Sequence, residues 1–107
     1  MNETQVKNAI KGVLNKLGIF YFSVGASMYS KAGIADIVGC LPDGRFFAIE
    51  VKNSTWKPPK STTTAYKHYV NQCDFLNAVK HSKGIAFFAQ SIDDVIIGLG
   101  LEDKFIA

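Results

Sequence analysis

The chain has 107 residues, 48% of them hydrophobic and 20% charged, with a formal net charge of +3. Those values describe one ordinary globular domain spanning 1–107 and exclude a disordered or fibrous chain. No apolar run approaches the ~20 residues that a membrane-spanning helix needs, and the N-terminal apolar positions are spaced helically rather than run together as in a secretory leader.

Residues 3–17 read as an amphipathic helix. Val6, Ala9, Ile10, Val13, Leu14 and Leu17 recur at helical spacing, Lys7, Lys11 and Lys16 fall on the other side, and Gly18 ends the run. Glu3 points the same way as the apolar stripe, either as a charge that favours the helix dipole or as a group aimed at a site. Ile19 to Val24 form a first strand, followed by a loop with Gly25, Ser27, Ser30 and Gly33. Two further strands come from Gly33-Ile34-Ala35-Asp36-Ile37-Val38-Gly39 and Phe46-Phe47-Ala48-Ile49-Glu50-Val51-Lys52. A polar loop over 53–64 holds Trp56 and the pair Pro58-Pro59, which excludes regular structure. A second helix runs from about Ala65 to His81, and Lys83-Gly84 turns into the strand Ile85 to Ala89. Ser91 is the N-cap of a short last helix. The order α-β-β-β-α-β-α predicts an α/β sandwich with a mixed central sheet.

Pro42-Asp43-Gly44-Arg45 joins the second and third strands with a strong hairpin signal. Neither strand alternates cleanly, so both faces of the sheet are expected to be covered. Charged side chains within such strands are costly unless paired. A hard cation held by Asp36 and Glu50, with Lys52 beside it, supplies that pairing. Glu50 and Lys52 share one face of their strand and Val51 points into the core. A two-residue turn would set Asp36 opposite Val51 and aim it away from Glu50. A common site therefore demands a one-residue shift, through a three-residue loop or a bulge. By itself Glu50-Val51-Lys52 also fits a surface ion pair on an edge strand.

Asp36, a hairpin, then Glu50-Val51-Lys52 resembles the signature of the PD-(D/E)xK nuclease superfamily. Glu3 in the first helix, Gly33-Ile34-Ala35-Asp36, and Gln72 before Phe75-Leu76 narrow the resemblance to the VRR-NUC family, in its compact stand-alone form often carried by phages. It covers nearly the whole chain and departs at Ala35, where the superfamily has proline before the aspartate. The resemblance implies a restriction-endonuclease-like fold. It also implies a catalytic set of Glu3, Asp36, Glu50, Lys52 and Gln72, and a Mg²⁺ or Mn²⁺ held by Asp36, Glu50 and the carbonyl of Val51. Gln72, flanked by His68, Tyr69, Phe75 and Leu76 at helical spacing, fits a core amide bonded to backbone on its own pattern. The family pattern turns it toward the site.

Charge is distributed to match. Between Thr4 and Cys73 nine basic residues face only Asp36, Asp43 and Glu50, whereas from Asp74 onward five acids face three lysines. A basic stretch around an acidic metal site suits a polyanion. Lys31, Lys57, Lys60 and Lys67 are expected to contact phosphates, with Trp56 stacking on bases or packing on the core. His68 and His81 lack the spacing of a zinc site, and Cys40 and Cys73 read as buried free thiols of a reducing cytoplasm, in a bacterial or phage-infected cell. Together with this charge pattern, the resemblance implies a metal-dependent, structure-selective deoxyribonuclease acting on branched DNA such as a four-way (Holliday) junction, as a homodimer. The alternatives are a flap, nicking or restriction-like nuclease on the same core, or an inactive nucleic-acid-binding protein. Ile96, Ile97, Leu99, Leu101, Phe105 and Ile106 either supply a dimer interface or close the far side of the sheet.

Overall fold

A computed structural model describes residues 1–25 and 33–105. Its elements are α1 (Glu3–Lys16), β1 (Phe20–Ser23), β2 (Ile37–Cys40), β3 (Phe46–Val51), α2 (Tyr66–His81), β4 (Ile85–Ala89), α3 (Ile92–Gly98) and a short 3-10 helix over Glu102–Phe105. The four strands lie in the order β1-β2-β3-β4. β1, β2 and β3 pair antiparallel, and β4 returns parallel to β3 after the α2 crossover. The sheet is therefore mixed, with helices on both faces, as the element order predicts.

Alternation along β3 divides the core into two layers. Phe47, Ile49 and Val51 pack with Ile37, with Val6, Ile10 and Leu14 of α1, and with Val95 and Leu99. Ala48 on the opposite face packs with Val38, Ala86, and Leu76 and Val79 of α2. This accounts for the missing alternation in the two hairpin strands, since both of their faces are covered. Ile10 is fully buried in the first layer, so Ile10→Ala would cost about 3 kcal/mol. α1 starts on a capping box: the Asn2 side chain accepts from the Gln5 amide, and the Gln5 side chain accepts from the Asn2 amide. It ends at Leu17, with Gly18 at φ 68°.

The hairpin closes through a three-residue loop, one of the two solutions the site demanded. Leu41 N–H donates to the Arg45 carbonyl, Gly44 N–H donates to the Leu41 carbonyl, and Gly44 takes φ 90°. Asp43 accepts from the Arg45 amide and from its Nε, which locks the tip. The ladder accordingly pairs Ile37 with Ile49. Carried one residue further, it sets Asp36 opposite Glu50, on the same face.

Some expectations need correction. β2 begins at Ile37 rather than Gly33, because Gly33 sits in a turn at φ 77° against the α2 backbone. Cys40 and Cys73 are free thiols but half-buried rather than buried. Near the C-terminus Leu99 and Leu101 are buried in the core while Ile97 is 67% exposed. Closing the sheet is therefore the role of Leu99 and Leu101. Ile106 lies outside the described residues. Among the described residues no helix is long and apolar enough to cross a membrane.

Candidate active site

Glu50 lies near the end of β3 on the side covered by α2, and is only 5% exposed. Burial of a carboxylate demands a partner, and α2 delivers one. Gln72, 4% exposed, donates from Nε2 to Glu50 Oε2 at 2.9 Å. The other end of the same amide, Oε1, accepts from Lys52 Nζ at 3.0 Å. Lys52 Nζ also lies 3.7 Å from Glu50 Oε2, so acid, amide and ammonium form a closed triangle. The second N–H of the amide meets His68 Nε2 at 3.2 Å, one helical turn earlier. An amide N–H can only donate, so this contact assigns the acceptor role to His68 Nε2 and the proton to Nδ1.

Asp36 enters from the opposite strand. Its Oδ2 accepts from the Val51 N–H at 2.8 Å, and its own carbonyl accepts from Val24 N–H, which ties the end of β1 to the site. Oδ1 faces Lys7 Nζ of α1 at 3.5 Å. Two carboxylates thus share a partly buried space. Burial pushes the Glu50 carboxyl up from its ordinary 4.5 to about 8. The charge of Asp36 and a hydrogen bond with it push the same way, Lys52 opposes them, and Glu3 adds a smaller upward push. Glu3 itself is the exposed first residue of α1. Its charge reaches Glu50, but no side-chain contact joins the two.

This arrangement fits a hard divalent cation. Like charges forced together are the strain that such an ion relieves, and carboxylate oxygens are its preferred donors. Among the described residues no three His, Cys, Asp or Glu side chains gather into a metal cluster. A cation would therefore rest on Asp36 and Glu50, with further oxygens from backbone and water, the coordination habit of Mg²⁺.

Lys52 is steered from beneath by aromatic rings. Its Nζ lies 5.3 Å from the Trp56 ring centroid and 5.9 Å from that of Phe88. Trp56 stacks on Phe88 at 5.1 Å and leans on Tyr69 at 6.0 Å. These ring contacts are packing of the kind the sequence left open to Trp56 beside base stacking. Its carbonyl and that of Asn53 accept from Gln90 Nε2, which pins the start of the polar loop. Beyond that anchor Lys57 and Lys60 are exposed on the loop, and Lys67 is exposed in the first turn of α2. Lys31 lies outside the described residues.

Two groups at the site escape the sequence pattern. Lys7 belongs by periodicity to the outer side of α1, yet it is half-buried against Asp36. His68 is recognisable as a helical neighbour of Gln72, but nothing in the sequence marks the amide they share. The only available signals were the four-residue spacings, Glu3 to Lys7 and His68 to Gln72. A separate apolar cavity of about 400 Å³, lined by Phe46, Phe75, Ala78, Val79, Ser82 and Gly84, opens at the other end of β3.

No protein-family model matches the sequence, and no curated protein matches it. Among solved structures, a VRR_NUC domain protein superposes with a TM-score of 0.66 at 18% identity, over 97% of this chain and 89% of that one. At that identity the likeness is one of fold: the chain has the α/β, restriction-endonuclease-like architecture of a VRR_NUC domain.

Proposed function

We propose that this protein is a metal-dependent deoxyribonuclease of the compact stand-alone VRR-NUC kind, within the PD-(D/E)xK group, hydrolysing phosphodiester bonds in branched DNA. The observation that carries the reading is the juxtaposition of Asp36 and Glu50 with a lysine held by Gln72. Bound Mg²⁺ or Mn²⁺ neutralises phosphate charge and lowers the pKa of water. Asp36, Glu50 and the Val51 carbonyl are the groups to hold it, and Glu3 adds negative charge at the same mouth.

Lys52 does the chain's own share of the chemistry. Its ammonium, held to the Gln72 carbonyl oxygen, orients the attacking water and balances negative charge developing on the phosphate. Gln72 keeps Lys52 and Glu50 at fixed separation, which holds the reacting groups in one geometry. Exposed Lys57, Lys60 and Lys67, with Lys31, engage the flanking phosphates. Two half-buried free thiols suit a reducing cytoplasm.

A four-way junction needs two symmetrical cuts, and a two-fold homodimer supplies two sites in matching orientation. The surface that supports this is the edge strand β1, where Phe20 and Phe22 are 68% and 54% exposed. No charged residue interrupts the chain from Ile19 to Val24. The deciding experiment offers end-labelled duplex, flap, splayed-arm and four-way DNA with Mg²⁺, Mn²⁺ or EDTA. Metal-dependent cleavage of the four-way substrate is expected. Cleavage of flaps alone would favour a flap nuclease, and binding without cleavage in any metal would leave a nucleic-acid-binding protein.

A further inference from the structure

Lys7 has no part in the chemistry described so far, although among the described residues it is one of two ammonium groups at the carboxylates. Its position follows from α1. Glu3 and Lys7 stand one helical turn apart at the start of that helix, on the side that passes the end of β3. Lys7 Nζ approaches Asp36 Oδ1 at 3.5 Å, and the two side chains are 27% and 22% exposed. The other Asp36 oxygen is already committed to the Val51 N–H. Oδ1 is thus the oxygen left for a cation, and Lys7 attends it.

The two lysines are not equivalent. Lys52 is 13% exposed, bonded to Gln72 and placed over two aromatic rings. Lys7 makes one long contact at the rim. A partly exposed ion pair of that kind contributes little, and a lysine stem is flexible enough to swing its ammonium into water. The contact is weak enough for a divalent ion to displace.

We infer that Lys7 is a resident counter-cation, which occupies Asp36 in the metal-free protein and moves to the DNA phosphate when a divalent cation takes Asp36. The inference rests on the two-carboxylate metal site proposed above. Charge supports it. Among the described residues, with every group ionised, the carboxylates of Glu3, Asp36 and Glu50 outnumber the ammonium groups of Lys7 and Lys52 by one. A divalent ion converts that deficit into a surplus of one positive charge, the sign a phosphodiester requires. A lysine released at this moment is already beside the place where the phosphate must arrive.

The test separates metal uptake from cleavage, using wild type, Lys7→Gln and Lys7→Arg. Calorimetric titration with Mn²⁺ in the absence of DNA is expected to show about threefold tighter binding to Lys7→Gln, because a competing cation of modest strength is gone. Lys7→Arg should restore the weaker affinity. At saturating Mn²⁺, single-turnover cleavage by Lys7→Gln should nevertheless fall roughly tenfold, and Lys7→Arg should recover part of the rate. Unchanged or weaker Mn²⁺ binding to Lys7→Gln overturns the counter-cation role. Undiminished cleavage at saturating metal overturns the phosphate role. If wild type takes up no Mn²⁺ and Asp36→Asn makes no difference, the metal site itself fails, an outcome distinct from failure of Lys7 alone.

Discussion

The Gln72 amide spans the gap between Glu50 and Lys52, donating to the acid from Nε2 at 2.9 Å and accepting from the ammonium at Oε1 at 3.0 Å. One neutral side chain thereby satisfies a buried acid and aims a partly buried lysine. Neither charge could be held in this position as cheaply by the other alone, since their direct approach is 3.7 Å. Reversing the amide would face donor with donor at Lys52 and acceptor with acceptor at Glu50, so the pair also determines which way Gln72 points.

Removing either member of the Gln72–Lys52 pair should lower the chemical step more than DNA binding. Lys52→Ala is expected to cut single-turnover cleavage by about a thousandfold, and Gln72→Ala by about a hundredfold. DNA affinity measured by anisotropy should stay within about twofold, since the proposed function assigns the phosphate contacts to the exposed lysines. Undiminished cleavage by purified Lys52→Ala would refute the mechanism.

Glu50 should make the metal-free protein less stable as pH rises. Its folded-state pKa of about 8 lies above its ordinary 4.5, so the folded state holds the proton more tightly than the unfolded chain. The stability this confers is full below pH 4.5, declines as pH rises, and is gone once pH has passed about 8. Thermal melts in EDTA should therefore show Tm falling across that window. Glu50→Gln should flatten the fall and raise Tm at pH 8 while abolishing cleavage. In wild type, Mn²⁺ should raise Tm most at the alkaline end, where no proton has to leave before the ion binds. A wild-type Tm that climbs through the window in EDTA would contradict the buried, like-charged placement of Glu50.

Gly33→Ala tests how the Asp36 segment is seated. A Cβ at Gly33 would collide with the Asn71 backbone carbonyl oxygen and fall 2.8 Å from the Gln72 backbone nitrogen, at φ 77°. The clash is with α2 backbone, which cannot rotate away as a side chain can. Urea unfolding should register a loss of about 3 kcal/mol. Cleavage should drop further than stability alone explains, because the displaced residue is next to Gln72. A variant with wild-type stability would show that α2 lies further from this turn.

The dimer prediction concerns the β1 edge. Light scattering should report a dimer for wild type, and the double substitution Phe20→Ser with Phe22→Ser should give a monomer that still melts cooperatively. The two rings meet edge-to-face at 6.4 Å and line the exposed side of β1, so their loss leaves both core layers untouched. A wild-type monomer at micromolar concentration would discard the homodimer and, with it, the paired-cut mechanism.

Much of this was legible in the sequence because it depends on local periodicity. Val6, Ile10 and Leu14 predict the buried stripe of α1, Ser91 predicts the start of α3, and Pro58-Pro59 predicts an irregular loop. The two-residue spacing of Glu50 and Lys52 places both on one side of β3, with Val51 in the core. The sequence also posed the register question correctly. What it could not choose was between a bulge and a three-residue loop, since Asp43-Gly44 serves either hairpin. Pairing of Ile37 with Ile49 settles that choice through packing on both faces, and sets Asp36 opposite Glu50.

Contacts between elements were decided only by the tertiary structure. Gln72 meets Glu50 across 22 residues, and Lys7 meets Asp36 across 29. Helical phase alone assigns Lys7 to solvent, but the start of α1 passes the sheet's end, where an outer side chain can reach round to Asp36. Trp56 turns inward because Phe88 and Tyr69 offer it a stacking surface that only the crossing of α2 over β4 creates. Periodicity along one chain records which face of an element is apolar. It does not record the angle and offset at which two elements meet, and at this site those determine which charges become partners.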